Sequence, residues 1–134
     1  MVMYLLYTNT CVYLLNNRPE HVRQRLEQID IEEVFISSIT FFELDSGSRK
    51  GIKVAENLAR LQRFVSMVKV LPFDTEEARE AGIVRQHLNA IGQPIVNFDL
   101  LIAGHALALD AVVVTNNVKA FERVPRLKVE NWLE

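Results

Sequence analysis

The stretch Tyr4-Leu5-Leu6-Tyr7-Thr8-Asn9-Thr10 decides how the chain folds. An apolar run that passes directly into a short polar cluster is typical of a strand buried on both faces of a parallel sheet. Ligand-binding groups in such sheets collect at the carboxyl ends of the strands. Tyr7 lies at this strand end, where a short polar or acidic side chain is more usual. The strand end is therefore the first place to look for a functional site.

Length and composition indicate a single domain over residues 1–134. A chain of 134 residues buries roughly two-thirds of the surface that it exposes when unfolded. The one cysteine, Cys11, has no partner for an internal disulfide and is interpreted as a small buried side chain in a reducing cytoplasm. The net charge of -2 argues against broad nonspecific nucleic-acid binding, so such a role requires a local site. Neither a signal peptide nor a membrane span is expected.

Predicted strands and helices alternate along the whole chain. Strand patterns occupy residues 3–7, 34–37, 69–73, 111–115 and 127–130, with helical patterns between them. This alternation predicts a mainly parallel α/β sheet with right-handed crossovers. Asp74 and Glu77 have the spacing of a capping box that opens a helix ending near Gly92. Ser38 is the predicted cap of the helix after the second strand.

Two acidic residues lie in otherwise apolar helical segments. Glu43 follows the second strand, and a buried acid is costly unless it is paired or bound to a metal. Asp99 opens a helix over residues 98–107 that is apolar nearly all round and is predicted to be the most buried helix. Its small residues, including Gly104, predict close approach to the sheet. For Asp99 alone, stabilisation of the helix dipole is an equally good explanation.

These acids, together with polar residues at the strand ends, suggest a cation site. If the strands ending at Tyr7, Ser37 and Thr115 are neighbours, oxygen groups from four separate segments meet at one edge of the sheet. Mg²⁺ and Mn²⁺ prefer such ligands. A metal ion held there can activate water and neutralise charge on a phosphate oxygen. Acids near strand ends are common, so this spacing has low specificity by itself.

Four segments of the sequence resemble one family in the same order: YLLYTNTCVYLL, ISSITFFEL, GQPIVNFDLLIAGHALAL and VVVTNNVKAFERVPRLKVENW. The chain is similar over essentially its whole length to the PIN-domain ribonuclease toxins of the VapC type. The resemblance implies a three-layer PIN-like sandwich with a five-stranded sheet of order 3-2-1-4-5. It also implies Mg²⁺- or Mn²⁺-dependent endoribonuclease activity and inhibition by a VapB-type antitoxin. Family members commonly form homodimers.

The resemblance also assigns roles to individual residues. Glu43 and Asp99 match the family's catalytic and metal-binding acids, and Asn117 falls in the loop where relatives place an amide or acid near the metal. The polar residues that match supports for these carboxylates are Thr8, Asn9, Ser38 and Thr115. The same four residues also suit turns, caps and strand ends, so the structural and functional interpretations coincide.

The chain departs from the family pattern where an acid normally ends the first strand, because Tyr7 occupies that position. Ala120 stands where many close relatives have an acid before the phenylalanine, and Val96 where glycine is common. A phenol is neutral at pH 7 and offers a cation a weak, bulky ligand. We therefore expect little or no RNA cleavage, and an increase in metal-free stability because carboxylates repel one another. Detoxification, natural decay and a retained binding role are all compatible with Tyr7, and the otherwise well-formed motif favours detoxification.

The expected partners are RNA and an antitoxin. The resemblance favours structured RNA, with the anticodon region of initiator tRNA as the leading substrate. Candidate phosphate contacts, each equally compatible with a solvated surface, are Arg18, Arg23, Arg25, Arg49, Lys50 and Lys53. Apolar stripes near Leu26 and over residues 58–68 suit either an antitoxin helix or core packing.

Two alternatives to a ribonuclease remain at this point. The first is a non-catalytic PIN-like module that binds antitoxin or RNA without cutting. The second is a receiver or small-ligand α/β domain. A receiver would need an acidic pair near the end of the first strand and an acid at the end of the third strand, and the sequence has neither. A small-ligand domain that binds phosphate would need a glycine-rich loop, which is also absent.

Overall fold

A computed structural model describes residues 2–133 and places five short strands in one parallel sheet. The strand order is β3-β2-β1-β4-β5, which confirms the expected order. The strands are β1 Tyr4–Leu6, β2 Val34–Ser37, β3 Lys69–Leu71, β4 Val112–Val114 and β5 Lys128–Glu130. Within the sheet, Leu5 pairs with Phe35 of β2 and Val113 of β4. The ends of β2, β1 and β4 are therefore neighbours, as the candidate site required.

Helices cover both faces of the sheet and connect its strands. They are α1 Thr8–Asn16, α2 Glu20–Glu27, α3 Ser38–Ser48, α4 Val54–Met67, α5 Thr75–Ala90, α6 Asn97–Leu109 and α7 Val118–Glu122. The predicted capping box is confirmed at the start of α5, where Asp74 and Glu77 exchange side-chain and backbone hydrogen bonds. Gly92 follows α5 with φ 68, a left-handed conformation that glycine adopts without strain.

The cap of α3 differs from the prediction. Ser37, rather than Ser38, is the N-cap, and its hydroxyl accepts a hydrogen bond from the Ile39 amide at 3.0 Å. The Ser38 hydroxyl instead accepts from the Phe73 amide at 3.0 Å. The two serines are adjacent, so local sequence could not decide between them. The packing of β3 beside β2 engages Ser38 and leaves Ser37 to cap the helix.

Apolar side chains form a core on each face of the sheet. Leu5 and Val113 belong to one core, and Leu6 and Val114 belong to the other, as period-two alternation along buried strands requires. Cys11 is free and fully buried. Leu61 and Phe64 of α4 are also buried, as is Val68 directly after the helix, so most of this stripe packs into the core. Within residues 2–133, no helix is long and apolar enough to cross a membrane.

Helix α6 is as buried as its composition predicts, but its glycine faces a different neighbour. A Cβ atom added at Gly104 would lie 2.5 Å from the backbone nitrogen of Ala81 in α5. The close approach is thus between α6 and α5, rather than between α6 and the sheet. His105, the next residue, is buried and lies 2.9 Å from the Ser37 hydroxyl through its Nδ1 atom. Burial lowers the pKa of His105, which favours its neutral form.

Candidate functional site

The centre of the site is a hydrogen bond between Tyr7 and Asp99. The Tyr7 hydroxyl donates to Asp99 Oδ1 at 2.6 Å, and both residues are buried. Tyr7 follows β1 and precedes α1, while Asp99 lies in the first turn of α6. The Tyr7 ring also packs edge-on against Phe121, with 5.5 Å between the ring centroids. The phenol therefore fills its position with both a polar and an apolar partner.

The environment of Tyr7 keeps its phenol protonated. Burial is the main cause that raises the pKa of Tyr7, and the hydrogen bond to Asp99 and the negative charges of Asp99 and Glu43 raise it further. Burial also raises the pKa of Asp99, while the hydrogen bond from Tyr7 opposes that change. Tyr7 consequently acts as a neutral hydrogen-bond donor to the Asp99 carboxylate.

Glu43 lies beside a different groove from Asp99. Thr8 donates its hydroxyl to Glu43 Oε1 at 2.6 Å, so the predicted support of Glu43 by Thr8 is present. Glu43 lines a groove of about 250 Å³ between α1, α3 and α4. Asp99 and Asn117 line a second depression beside α7. The buried Tyr7 side chain is close enough to both acids for their charges to act on it.

The other predicted polar residues join the strand ends of β1 and β4. Asn9 donates from Nδ2 to the Thr115 hydroxyl at 3.2 Å and to Asn116 Oδ1 at 2.6 Å. The Thr115 hydroxyl accepts a hydrogen bond from the Asn117 backbone N–H at 3.0 Å. The Asn117 side chain places its Nδ2 atom 3.4 Å from Asp99 Oδ2. A continuous chain of contacts thus links Asn9 to Asp99. The Ser38 hydroxyl forms no hydrogen bond with either acid and instead accepts from the Phe73 backbone N–H.

These residues do not fit a tightly bound divalent cation. Within residues 2–133, no group of three or more His, Cys, Asp or Glu side chains is arranged to hold a metal ion. Asp99 Oδ1 already accepts a short hydrogen bond from Tyr7, and the phenol brings no negative charge. Mg²⁺ requires a nearly ideal shell of oxygen ligands. The two acids and Asn117 therefore form only part of such a shell.

The basic residues predicted from sequence divide into two groups. Three of them form surface ion pairs: Arg23 with Glu20 at 3.6 Å, Arg25 with Glu130 at 3.2 Å, and Arg49 with Asp45 at 2.6 Å. Arg18, Lys50 and Lys53 take part in no ion pair within the described part of the chain. The first three are thus partly committed to neighbouring acids, which lowers their value as phosphate contacts.

The structure also brings residues to the site that sequence reasoning missed. Arg60 of α4 lines the groove beside Glu43, and Arg123 lines the depression beside Asp99. Phe42 and Phe98, each next to one of the acids, form an exposed pair with ring centroids 6.1 Å apart. The sequence did contain a signal for this pair, because a phenylalanine directly precedes each of the two acids. No comparable signal connects Arg60 or Arg123 with the acids.

Comparisons with known proteins agree with this architecture. A family model described as "PIN domain" matches residues 4–127. The "tRNA(fMet)-specific endonuclease VapC" of Salmonella typhimurium is 41% identical over 132 residues, which cover 98% of this chain and 99% of that protein. "Ribonuclease VapC2" of Rickettsia felis is 39% identical, covering 98% of each chain.

Solved structures show the same correspondence in three dimensions. The structure of DNA-bound VapBC from Salmonella typhimurium contains a chain with TM-score 0.92 and 41% identity, with coverage of 98% of this chain and 99% of that one. VapBC-1 from nontypeable Haemophilus influenzae gives TM-score 0.90 and 33% identity, with coverage of 99% and 100%. Both the sequence and the backbone therefore match over nearly the full length.

Proposed function

The chain belongs to the PIN-domain family of VapC toxin ribonucleases, and from that premise we propose that Tyr7 has weakened its RNA cleavage. The observation that carries the proposal is the 2.6 Å hydrogen bond from the Tyr7 hydroxyl to Asp99 Oδ1. A neutral phenol replaces an expected carboxylate and also occupies one oxygen of a second. The affinity for Mg²⁺ or Mn²⁺ falls for both reasons.

The remaining residues of the site still hold its two acids and Asn117 in place. Thr8 fixes the Glu43 carboxylate, and the chain of contacts from Asn9 through Thr115 fixes Asn117 beside Asp99. Hydrogen bonds to the groups around a site keep its geometry even when one ligand is missing. We therefore propose Glu43, Asp99 and Asn117 as the residues that make an active nuclease once an acid stands at position 7.

The proposed substrate is a structured RNA, with the tRNA anticodon region as the leading case. Two relatives at 41% and 39% identity carry the name tRNA(fMet)-specific endonuclease, and their similarity covers almost the entire chain. The second candidate function is a non-catalytic module that binds antitoxin or RNA. The buried Tyr7 favours this alternative for the chain as written, since a well-packed phenol is a stable replacement for the acid. In either case we place the protein in the cytoplasm, where tRNA and antitoxin are made.

Expression in a bacterial host without antitoxin is expected to leave growth close to that of the uninduced culture. The physical reason is the weak metal binding of the Tyr7 site. Optical density and colony counts after induction measure the effect, with protein levels compared by immunoblot. Strong growth arrest by the unaltered chain, lost on Asp99→Asn, would show that the Tyr7 site is active and would contradict the proposal.

The proposed partner is a VapB-type antitoxin that occupies the groove between α1, α3 and α4. Its walls include the apolar side chains of Val12, Leu15 and Leu44, with Arg60 and Glu43 as charged groups. An apolar groove with few charged groups suits an amphipathic peptide segment. Solved relatives with TM-scores of 0.92 and 0.90 were crystallised as VapBC assemblies.

We also propose a homodimer, for which the exposed rings of Phe42 and Phe98 offer an apolar contact.

Val12→Glu is expected to weaken antitoxin binding by about tenfold or more, because a charged group in an apolar contact loses hydration without gaining a partner. Val12 is 40% exposed in the chain alone, so the change leaves the core intact. Calorimetric titration of the purified chain with a purified VapB-type antitoxin measures the affinity. Ile83→Glu is the matched control, since Ile83 is an exposed apolar residue of α5. If Val12→Glu and Ile83→Glu bind the antitoxin with equal affinity, the antitoxin does not occupy this groove.

A further inference from the structure

A depression beside Asp99 has the size and lining of a small-ligand site. It measures about 470 Å³ and lies between residues 94–96, the start of α6 and α7, within the range of about 300–1,000 Å³ usual for such sites. Its apolar lining comes from Pro94, Ile95, Val96 and Ala120. A flat, uncharged ring can lie against side chains of this kind.

Two polar groups at the edge of the depression are available to a ligand. Asn117 uses its Nδ2 atom toward Asp99, and its Oδ1 atom accepts none of the hydrogen bonds formed within residues 2–133. The Arg123 guanidinium donates from Nη1 to the Pro94 carbonyl oxygen at 3.0 Å, which holds the group at the edge. Its other N–H groups are left for an anion or a carbonyl oxygen.

Arg123 and Asp99 are the charged side chains that line the depression, and the segment that begins with α7 is rich in basic residues. Residues 118–126 contain Lys119, Arg123 and Arg126 with one acid, Glu122. None of these three basic residues takes part in an ion pair within the described residues, unlike Arg25 and Arg49. An arginine with free N–H groups beside an apolar recess matches a nucleotide, which combines a flat base with an anionic backbone.

We propose that this depression is a nucleobase subsite, which receives one unpaired base of an RNA strand next to the cleavage position. The inference rests on the proposed action of the site on RNA. The base lies against the side chains of residues 94–96 and Ala120, as flipped bases do against apolar side chains in other enzymes. The Asn117 amide oxygen accepts from the base edge, and Arg123 contacts the adjacent phosphate. Asn117 thereby becomes a determinant of base preference as well as a neighbour of Asp99.

The test compares RNA binding by the unaltered chain and by Ala120→Leu, whose longer side chain fills the recess. Fluorescence anisotropy with a short single-stranded RNA that carries one 2-aminopurine measures affinity, and the 2-aminopurine signal reports stacking. We expect Ala120→Leu to lower affinity about tenfold and to abolish the fluorescence change. An RNA with one abasic position lacks the base that would enter the recess. We expect the unaltered chain to bind this RNA about as weakly as Ala120→Leu binds the intact RNA. The matched control is Ala55→Leu at an exposed position of α4.

A second variant keeps the proposal testable if Ala120→Leu does not fold. Arg123→Gln is expected to weaken binding to all sequences alike and to reduce the salt dependence by about one phosphate contact. If Ala120→Leu and Arg123→Gln both bind RNA like the unaltered chain, the subsite proposal is wrong. If Ala120→Leu leaves RNA affinity unchanged but alters the oligomeric mass or antitoxin affinity, the depression is a protein interface and the proposal is equally wrong.

Cleavage assays separate failure of this proposal from failure of the proposed function. In the Tyr7→Asp background, Ala120→Leu is expected to lower kcat/KM about tenfold and to change the preferred base beside the cut. Active Tyr7→Asp protein with unchanged base preference after Ala120→Leu would overturn the subsite alone. Tyr7→Asp protein that neither binds nor cuts RNA would overturn the proposed function and, with it, the subsite.

Discussion

Replacement of Tyr7 by aspartate is expected to convert the chain into a metal-dependent ribonuclease. The change removes the hydrogen bond donor that occupies Asp99 Oδ1 and adds a negative charge at a position on which Asp99 and Glu43 both act. We expect RNA cleavage to rise by more than about a hundredfold, because even groups that only orient metal ligands contribute about 10- to 100-fold. Single-turnover cleavage of initiator tRNA, with Mg²⁺ or Mn²⁺ and with EDTA, measures the effect.

Tyr7→Asn is the matched control, since asparagine has nearly the size of aspartate but no charge. Both variants lose the edge-on contact with Phe121, so both should be less stable than the unaltered chain in EDTA. Mg²⁺ should then raise the melting temperature of Tyr7→Asp alone, because only that variant binds the ion in its folded state. Equal cleavage by Tyr7→Asn and Tyr7→Asp would show that steric relief, rather than charge, limits the site.

Gly104→Ala is expected to destabilise the fold by about 1–3 kcal/mol, the usual range for overpacking a filled core. The added methyl group would lie 2.5 Å from the Ala81 nitrogen and 2.7 Å from its Cα atom. Both are backbone atoms, so α5 and α6 must separate to admit the methyl group. Urea unfolding followed by circular dichroism measures the free energy of unfolding.

Gly82→Ala provides the control for this measurement. Gly82 lies in α5, and a Cβ atom added there meets no atom within 4 Å. Helix propensity should therefore raise its stability by about 0.5–1 kcal/mol. The two substitutions are chemically identical and lie in the two helices that pack together, so opposite signs isolate the steric term. A Gly104→Ala protein as stable as Gly82→Ala would mean that the contact between α5 and α6 is looser than the structure shows.

Local sequence was sufficient for the features that depend on neighbouring residues. The apolar run ending at Tyr7 predicted a buried strand, and the spacing of Asp74 and Glu77 predicted the start of α5. The apolar composition around Asp99 predicted the burial of α6, since a helix apolar on all sides has no favourable exposed face. The family resemblance supplied the strand order and the residues of the site.

Only the tertiary structure decided which of these groups meet. Tyr7 and Asp99 are 92 residues apart in sequence, yet they share a hydrogen bond of 2.6 Å. The same holds for Arg123 at the depression, for Gly104 against Ala81, and for the choice of Ser37 over Ser38 as a cap. The physical reason is the sequence distance over which each interaction acts. Propensity, capping and periodicity act between residues a few positions apart, whereas the register of β1 beside β4 and the crossing of α5 and α6 set the distances between remote side chains.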